Sequence, residues 1–472
     1  MTCRGGTWRN LSKPFLRLSS NLMSIITTRV CDSQRARFRI SLLSGIRRRS
    51  SAVFGITARK GSFSLVDQVV VSGASFLTTV LVGRICGLEE LATYSLGFSL
   101  VILILSVLET LIVLPYTIYA IRFDGAAQAE YRGAVLVQCG LLSVLATLML
   151  AVWATVISTG LRPLGLAPVL YMLSAAIPFC MLKEFARRFA FAHLNSEKAL
   201  QLDLSTATLQ IIGIAILAAG GLLSAVTATA VIGLANAAVA LTWLILSRSN
   251  FVVRRNQILP AMWRNLSFGR WLLASRMVGH LNSDILVLWL LAFFLGQAAT
   301  GVFAACMTVV QFSNPFVLGV SQVLTPRIAR ALADSGVKEV QRVAWKATIL
   351  VGLVLSAFCI GTLLFGDMAM KTIYGGQYGG HSYSITVLAA STLAFALGLP
   401  AAASLLALER PDVSLKASVV GLFFTVTFAS ALVLHLGVLG VACGLLAGQI
   451  GASTIRWAAF TRLAMKKPLQ GS

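Results

Sequence analysis

The sequence has little charge for its length. Only 12% of its 472 residues are Asp, Glu, Lys or Arg, and 57% are hydrophobic. An average soluble domain is about 25% charged. Because charged side chains are rarely buried without a partner, they stay at the surface, and here they are too few to cover a water-soluble protein of this size. The composition therefore excludes an ordinary soluble multidomain enzyme and favours an integral membrane protein.

Acidic residues and catalytic motifs are also scarce. The chain has 16 Asp and Glu against 39 Lys and Arg, a net charge of +23. No Walker A, GxSxG or HExxH motif occurs, so the sequence gives no support for ATP hydrolysis or hydrolase chemistry. Its eight cysteines form no CxxC pair and indicate neither a metal site nor a disulfide. We expect no enzyme activity, no catalytic residues, no cofactor and no metal.

Long charge-free runs predict membrane spans, because a helix of about 20 residues crosses the hydrocarbon core of a bilayer. Gly133–Leu161 is one such run, and three others are about twice as long: Leu204–Ser247, Ile285–Pro326 and Ala417–Ile455. Each long run has a central break, at 220–221, 296–300 and 435–437. We predict an all-α polytopic membrane protein with about twelve spans: 62–83, 91–120, 133–157, 165–188, 205–222, 225–247, 271–295, 299–325, 343–366, 383–408, 413–435 and 438–462.

The basic residues set the predicted orientation. If the N-terminal tail is cytoplasmic, the outside loops hold only Arg84, Arg162 and Lys371, and 22 Lys and Arg lie near the cytoplasmic ends. This asymmetry is typical of the positive-inside rule. We therefore predict a multi-pass protein of the cell inner (plasma) membrane with both termini cytoplasmic, and no nucleic acid as a partner.

The N-terminal 60 residues carry 13 Lys and Arg against one acid, Asp32. A disordered cytoplasmic extension and sequence upstream of the real start are the favoured interpretations. A mitochondrial transit peptide and a polybasic arm on anionic lipid remain open. We treat residues 1–60 and 467–472 as tails outside the folded lobes.

The chain contains an internal repeat. A shift of 209 residues places Gly87 on Gly296 and Tyr94 on Phe303, at the junction of the first two spans of each half. Two six-helix lobes follow, at 61–247 and 271–466, joined by a basic cytoplasmic linker at 248–270. Since each lobe has six spans, both begin on the same side of the membrane, as in a parallel repeat.

A series of short motifs resembles the polysaccharide and oligosaccharidyl-lipid flippases of the MOP (MATE-like) exporter superfamily. In chain order they are Ser64-Leu-Val-Asp-Gln, Gly87-Leu-Glu-Glu-Leu-Ala-Thr-Tyr-Ser, Lys183-Glu-Phe-Ala-Arg-Arg, Phe268-Gly-Arg-Trp, Tyr374-Gly-Gly-Gln-Tyr and Leu405-Leu-Ala-Leu-Glu-Arg-Pro. The resemblance covers about residues 62–465. It implies two six-helix bundles around a central cavity.

The same resemblance implies a function. It suggests alternating-access transport of a lipid-linked oligosaccharide, such as a polysaccharide or O-antigen repeat unit, for cell-envelope, lipopolysaccharide or exopolysaccharide assembly. Membrane lipids and the polysaccharide polymerase or glycosyltransferase machinery are then expected partners. A cation-coupled multidrug antiporter of the same superfamily is the alternative. A membrane-embedded glycan polymerase or ligase is disfavoured, because the longest outside loop, about 366–382, is short.

Three ionisable residues in span 7 are the first candidates for transport, because charges inside a span are costly. Arg276, His280 and Asp284 are spaced by four and are predicted to line one helical face. Arg276 would attract a pyrophosphate or an acidic sugar, since a guanidinium pairs bidentately with phosphate. His280 and Asp284 are candidates for coupling to an H⁺ or Na⁺ gradient.

Asp67 and Gln68 in span 1 are further candidates. The 209 shift places Asp67 on Arg276. Either the two pair across the lobes near the cytoplasmic end, as a gate that is closed when the cavity opens outward, or Asp67 meets lipid headgroups and water. Gln68 is predicted to lie beside the substrate. Glu109 in span 2 lies far inside the core and needs a partner or a proton.

Span 8 contributes Gln311 and Asn314, one turn apart. These amides either bind sugar hydroxyls in the cavity or hold helices together.

Overall fold

The computed structural model describes residue 63 and residues 66–160, 163, 165–193 and 195–466. The predictions for the tails at 1–60 and 467–472 lie outside these residues. Every regular element of the described part is helical. This is the structure that a lipid environment imposes, because backbone groups there have no water to bond.

The helices, numbered here α1 to α12, follow the predicted charge-free runs closely. Their bounds are α1 Val66–Cys86, α2 Leu88–Tyr119, α3 Gly125–Ser158, α4 Ala167–Ala192, α5 Ser196–Ala219, α6 Ala225–Ser247, α7 Arg255–Leu281, α8 Asp284–Phe294, α9 Gln297–Val310, α10 Asn314–Tyr374, α11 Ser382–Ala407 and α12 Pro411–Lys466. Within α2, residues Glu109–Val113 form a π-helical turn.

Two of these helices are each two spans. With 61 residues, α10 would be about 92 Å long if straight, three times the thickness of a hydrocarbon core. Gly336 and Gly437 interrupt α10 and α12 with positive φ angles of 72° and 58°. Divided there, with α7 and α8 as one span bent by 53° and with α9 and the first part of α10 as one span across the 3₁₀ turn at Gln311–Ser313, the described residues contain the twelve spans that the sequence predicts.

The break at Gly437 folds α12 back on itself. Gly440, Gly444 and Gly448 lie against the first half of the helix, and a Cβ atom at Gly444 would lie 2.7 Å from the Cβ of Ala429. Because side chains would prevent this approach, the small residues determine how closely the two halves pack.

The internal repeat is present in the backbone itself. Gly87 and Gly296 precede α2 and α9 with nearly identical angles, φ 90° and ψ −173° against φ 83° and ψ −168°. The repeat-equivalent rings of Tyr94 and Phe303 are both buried. The repeat that the sequence predicts is therefore present at this turn, and we call α1–α6 the N-lobe and α7–α12 the C-lobe.

The two lobes pack tightly at one end of the bundle. The largest apolar core contains Val82 and Leu91 of the N-lobe and Tyr374, Leu388 and Val438 of the C-lobe. We call this end, which bears the turns at 84–88, 375–381 and 436–438, the closed end. At the opposite end, two smaller cores consist of C-lobe residues alone, and we call it the open end.

The segment between the lobes differs from its prediction. Most of the expected linker at 248–270 is helical, because α7 begins at Arg255. This part of α7 docks on the N-lobe through Asn265, which accepts a bond from the Tyr131 hydroxyl and donates one to Gln138, both 2.9 Å. Span 7, predicted as one helix over 271–295, is broken between Leu281 and Asp284.

The break in span 7 is held by the C-lobe. Asn282 accepts a bond from the Thr425 hydroxyl at its side chain (3.2 Å) and one from the Gln449 amide at its carbonyl (2.8 Å). Ser283 then caps the new helix by accepting from the Ile285 N–H, at 3.4 Å. Span 7 therefore contacts the N-lobe through its first part and the C-lobe at its bend.

Candidate functional site

An ion pair joins the lobes inside the membrane-spanning region. Nη1 of Arg276 in α7 donates to Oε2 of Glu109 in α2 at 2.5 Å. Nη1 of Arg188 in α4 lies 3.5 Å from Oε1 of the same carboxylate. The side chains of Glu109 and Arg276 are 29% and 40% exposed. Since charges in spans face the bundle interior or a water-filled cavity rather than lipid, we interpret this exposure as access to the cavity expected between the lobes.

The ion pair belongs to a longer polar contact that we call the α2–α7 seam. Nε2 of His280 lies 2.7 Å from the Ser106 hydroxyl, and the Trp289 indole of α8 donates to the Ser99 hydroxyl at 3.0 Å. Gly269 lies so near Thr110 that a Cβ atom there would be 2.8 Å from its carbonyl oxygen. Small and polar groups thus hold span 7 along α2.

A local irregularity of α2 coincides with the ion pair. Glu109 is the first residue of the π-helical turn, which directly precedes Pro115 in the next turn of the helix. A π turn inserts one residue into the helix and rotates the side chains that follow it, and such turns are frequent at functional sites.

A second group of charges is buried within the N-lobe. Arg187 of α4 donates from Nη2 to Asp67 at 2.7 Å and from Nε to Asp203 at 2.5 Å, and Lys183 also pairs with Asp203. Asp67 and Asp203 are each 1% exposed. Two carboxylates and two cations therefore neutralise one another inside the lobe, as buried charges must.

Glu184 links this buried group to the cavity. Its carboxylate lies 3.4 Å from Arg187 and 2.7 Å from Arg188. Arg188 in turn contacts Glu109, which binds Arg276. Alternating charges therefore run without interruption from span 1 to span 7, and we call this series the charge chain: Asp67, Arg187, Glu184, Arg188, Glu109 and Arg276.

The predicted direct pair between Asp67 and Arg276 is not formed in this conformation, and as a gate closed when the cavity opens outward it stays a prediction. Arg187 of the same lobe captures Asp67 at 2.7 Å, and Arg276 binds Glu109 instead. Equivalence in a repeat fixes the position of a residue within its own lobe but not its partner. Glu109, in contrast, has the partner that a carboxylate deep inside a span requires.

The predicted face of span 7 is interrupted. Arg276 and His280 follow one another along α7, but Asp284 lies beyond the break, in the first turn of α8. In the first turn of a helix a carboxylate is stabilised by the positive end of the helix dipole, so the position of Asp284 has a structural reason besides any role in coupling. The spacing argument for one continuous polar stripe fails at Asp284 because it assumes an unbroken helix.

The predicted amide residues lie away from the ion pair. Gln68 donates to the Ser72 hydroxyl at 3.3 Å. Gln311 begins a 3₁₀ turn and Asn314 begins α10, both with exposed side chains. Among the described residues, none of the three amides is hydrogen-bonded to Arg276. Their binding of substrate stays a prediction.

Sequence reasoning missed three members of the charged groups: Lys183, Glu184 and Asp203. Lys183 and Arg187 are four residues apart, as are Glu184 and Arg188, which places the two neighbouring pairs on one side of α4. The prediction that span 5 begins at 205 leaves Asp203 outside the span. The helix begins at Ser196, which carries Asp203 two turns into the bundle.

The closed end is held by direct contacts between the lobes. The Tyr378 hydroxyl donates to the carbonyl of Gly83 at 2.7 Å. Nη1 of Arg84 donates to the carbonyls of Thr372 and Ile373 at 3.0 and 3.3 Å, at the C-terminus of α10. Tyr378 is fully buried, so the Gly-rich loop at 374–383 is packed between the lobes.

Comparison with known proteins agrees with this architecture. The model of the family described as "Polysaccharide biosynthesis protein" matches residues 122–382, more than half of the chain. The Escherichia coli K12 lipopolysaccharide biosynthesis protein WzxC is 26% identical over 215 residues, 44% of this chain and 41% of that protein. The probable low-salt glycan biosynthesis flippase Agl15 of Haloferax volcanii is 25% identical over 154 residues, 32% of each chain. The matches thus span less than half of these relatives.

Solved structures show the same fold. An inward-facing multidrug resistance MATE family transporter of the MOP superfamily matches with a TM-score of 0.71 and 16% identity, over 84% of this chain and 95% of that one. An outward-facing transporter of that description gives a TM-score of 0.59 and 17% identity, over 87% and 96%. These likenesses establish a MATE-like fold.

Proposed function

This chain belongs to the polysaccharide biosynthesis protein family, and we propose that it moves a lipid-linked oligosaccharide across a membrane by alternating access, without enzymatic chemistry. The observation that carries the proposal is the Glu109–Arg276 pair between two lobes that share one apolar core at the closed end and, apart from the docked first part of α7, have separate cores at the open end. The similarity to proteins named as a flippase and as polysaccharide biosynthesis proteins supports the class of substrate.

Arg276 and Arg188 are the proposed anchors for the anionic part of the substrate. They approach different oxygens of one carboxylate. A phosphate or an acidic sugar presents the same kind of oxygen to a guanidinium. Binding would then exchange Glu109 for the substrate anion, which replaces one pairing of charges by another without leaving a bare charge in the membrane.

Glu109 is also the proposed coupling group. A proton or a Na⁺ ion on this carboxylate would weaken its hold on both arginines and so favour the substrate anion. Asp67 and Asp203 are the second candidates, because Arg187 and Glu184 connect them to Glu109. His280 and Asp284 remain candidates for coupling. His280 lies one turn beyond Arg276 in α7, and Asp284 lies beyond the bend of span 7.

The open end is proposed to face the cytoplasm of the cell inner membrane, with both termini on that side. The excess of Lys and Arg near the loops of this end supports the orientation. The higher TM-score to the inward-facing transporter also supports it. Glycosyltransferases would supply the substrate on this side, and a polymerase would use it on the other.

A cation-coupled multidrug antiporter is the less supported alternative. A cationic drug would have to approach Glu109, whose two oxygens are already paired with Arg188 and Arg276. Like-charge repulsion from two guanidinium groups opposes that approach.

The test is translocation of a fluorescent polyprenyl-diphosphate-linked oligosaccharide in proteoliposomes, with and without an H⁺ or Na⁺ gradient. We expect Arg276→Gln to slow translocation at least tenfold and Glu109→Gln to abolish the dependence on the gradient. Arg342→Gln is the matched control, because it breaks the exposed pair between Arg342 and Glu339. If the unmodified protein moves no such lipid but exports cationic drugs, the proposal is wrong.

A further inference from the structure

One arginine of the C-lobe is buried without a counter-charge. Arg456 lies in the second half of α12 and is 7% exposed. Among the described residues no carboxylate forms an ion pair with it. Its one hydrogen bond within the described chain is donated from Nη2 to the Ser418 hydroxyl at 2.9 Å, and its Nε is buried without a partner. Because a guanidinium has five N–H donors and keeps its proton in a protein, its charge and most of its donors are left unbalanced.

Two other arginines show how this chain balances an enclosed guanidinium. Arg187 binds the carboxylates of Asp67 and Asp203. The Arg264 guanidinium lies 4.7 to 5.1 Å from the centroids of three aromatic rings, those of Tyr119, Phe123 and Tyr131, whose faces attract a cation. Arg456 has neither kind of partner in the part of the chain that the structure describes.

Arg456 continues a polar row on α12. Gln449, Ser453 and Arg456 are spaced by four and three residues, so they lie on one face of the helix. Gln449 donates to the carbonyl of Asn282 at 2.8 Å, and Ser453 donates to the carbonyl of Ala394 in α11 at 2.6 Å. Both neighbours in the row are neutral and bond the backbone, so the row gives Arg456 no negative group.

The packing of α11 on α12 encloses the arginine side chain. Gly398 of α11 leaves the space, because an added Cβ atom there would lie 2.4 Å from Oγ of Ser453 and 3.3 Å from Nη1 of Arg456. The indole of Trp457, the next residue of α12, donates to the carbonyl of Leu397 at 2.8 Å. A long basic side chain near the end of a span usually extends along the helix to water. Arg456 instead lies between α11 and the first half of α12.

The charge of this place selects the kind of partner that would complete it. An unpaired charge inside a span is costly, and here the charge is that of one guanidinium. A monovalent anion would balance it fully. A phosphate monoester, which carries a charge of about −1.5 to −2 at pH 7, would leave excess negative charge in the lobe. The unused N–H groups supply the charge-assisted hydrogen bonds that hold an anion.

We propose that Arg456 binds a small inorganic anion, of the size and charge of chloride, between α11 and the two halves of α12. The site is separate from the ion pair of Glu109 and Arg276 and does not depend on the proposed function. Since Ser453 and Gln449 join the same face of α12 to α11 and to the bend of span 7, the bound anion would stabilise the packing that supports this bend.

The experiment measures thermal unfolding of the full chain in phosphatidylcholine nanodiscs. Sodium gluconate, whose anion is much larger than chloride, is replaced stepwise by sodium chloride at constant ionic strength. We expect the melting temperature to rise saturably, by about 3 °C at 100 times the dissociation constant, because the anion binds only the folded protein. A melting temperature that does not depend on chloride would overturn the inference.

Two variants separate the site from general effects of salt. Arg456→Met removes the charge and keeps an apolar stem, so its melting temperature should not depend on chloride. Arg462→Met is the matched control, because Arg462 is exposed on the same helix, and it should keep the chloride dependence of the parent protein. Equal chloride dependence in all three proteins would mean that chloride acts elsewhere and would refute the site.

Two further measurements decide the question even if Arg456→Met does not fold. Crystals of the unmodified protein grown in sodium bromide should give an anomalous difference peak beside the Arg456 guanidinium, and absence of the peak would contradict the proposal. Neither sodium phosphate nor replacement of phosphatidylcholine by phosphatidylglycerol should abolish the chloride dependence. If either does, the occupant is a phosphate group and the inference of a small monovalent anion is wrong.

Discussion

Removal of one hydroxyl group at the closed end should shift the protein towards its other conformation. The Tyr378 hydroxyl donates to the Gly83 carbonyl at 2.7 Å, and Tyr378 is 0% exposed. Tyr378→Phe keeps the ring and removes this bond. The carbonyl then stays buried without its donor while the lobes are closed, at a cost of about 1–2 kcal/mol, and is hydrated when they open. The ratio of opened to closed molecules should therefore rise about 5- to 30-fold.

Distances between spin labels at Thr159 and Gln377 would report this shift. Both side chains are exposed and lie at the closed end, one in each lobe. We expect the longer of two distance populations to grow in Tyr378→Phe. Tyr383→Phe is the matched control, because Tyr383 is 72% exposed. If both variants give the distribution of the parent protein, the Tyr378–Gly83 bond does not hold the lobes closed and the reasoning fails.

Two predictions concern stability in detergent. Gly444→Val should lower the free energy of unfolding by about 1–3 kcal/mol, because the new side chain meets Ala429 where α12 folds back on itself. Gly361→Val should leave the free energy of unfolding unchanged, because a Cβ atom there has nothing within 4 Å. Asp203→Asn should lower the free energy of unfolding by about 3–5 kcal/mol, because it leaves the buried cations Lys183 and Arg187 without a counter-charge. Asp412→Asn, at an exposed ion pair, should leave the melting temperature unchanged. Equal melting temperatures within either pair would contradict the corresponding assignment.

The sequence predicts the spans well because lipid leaves the backbone few alternatives. Charge-free runs set their length, and glycines mark where they turn, at Gly296 and Gly437. The shift of 209 also locates Gly87, whose backbone angles nearly match those of Gly296. Each of these features depends on local sequence and a uniform solvent, so no knowledge of neighbouring helices is needed.

The bend of span 7 has no comparable cause in its own sequence. Asn282 leaves the helix because Thr425 and Gln449 of the C-lobe bond its side chain and carbonyl. The early start of α7 likewise depends on the docking of Asn265 on Tyr131 and Gln138. These partners are more than 100 residues away along the chain, and periodicity within one helix does not indicate them.

The pairing of the charges was the hardest part of the site to predict, for a related reason. The sequence does not show which basic residue pairs with Asp67, because the answer depends on which helices touch. The contact of α4 with α1 and α5 decides it, because it brings Arg187 between Asp67 and Asp203. Glu109 was predictable as a residue needing a partner, but Arg188 and Arg276 follow only from the positions of α4 and α7.

The charge chain constrains how any anion is held in the cavity. Arg187, Glu184 and Arg188 lie between Asp67 and Glu109 in the charge chain. Neutralising either of these two carboxylates therefore leaves the arginine beside it without part of its counter-charge. An uncompensated guanidinium is expensive in a span, so the proposed function requires release of Glu109 and arrival of the substrate anion to be a single exchange. The lobes would then part at the α2–α7 seam only when the substrate, rather than Glu109, balances Arg276. Under the proposed transport function, an empty cavity would stay locked by Glu109, and this lock would couple movement of the lobes to the presence of cargo.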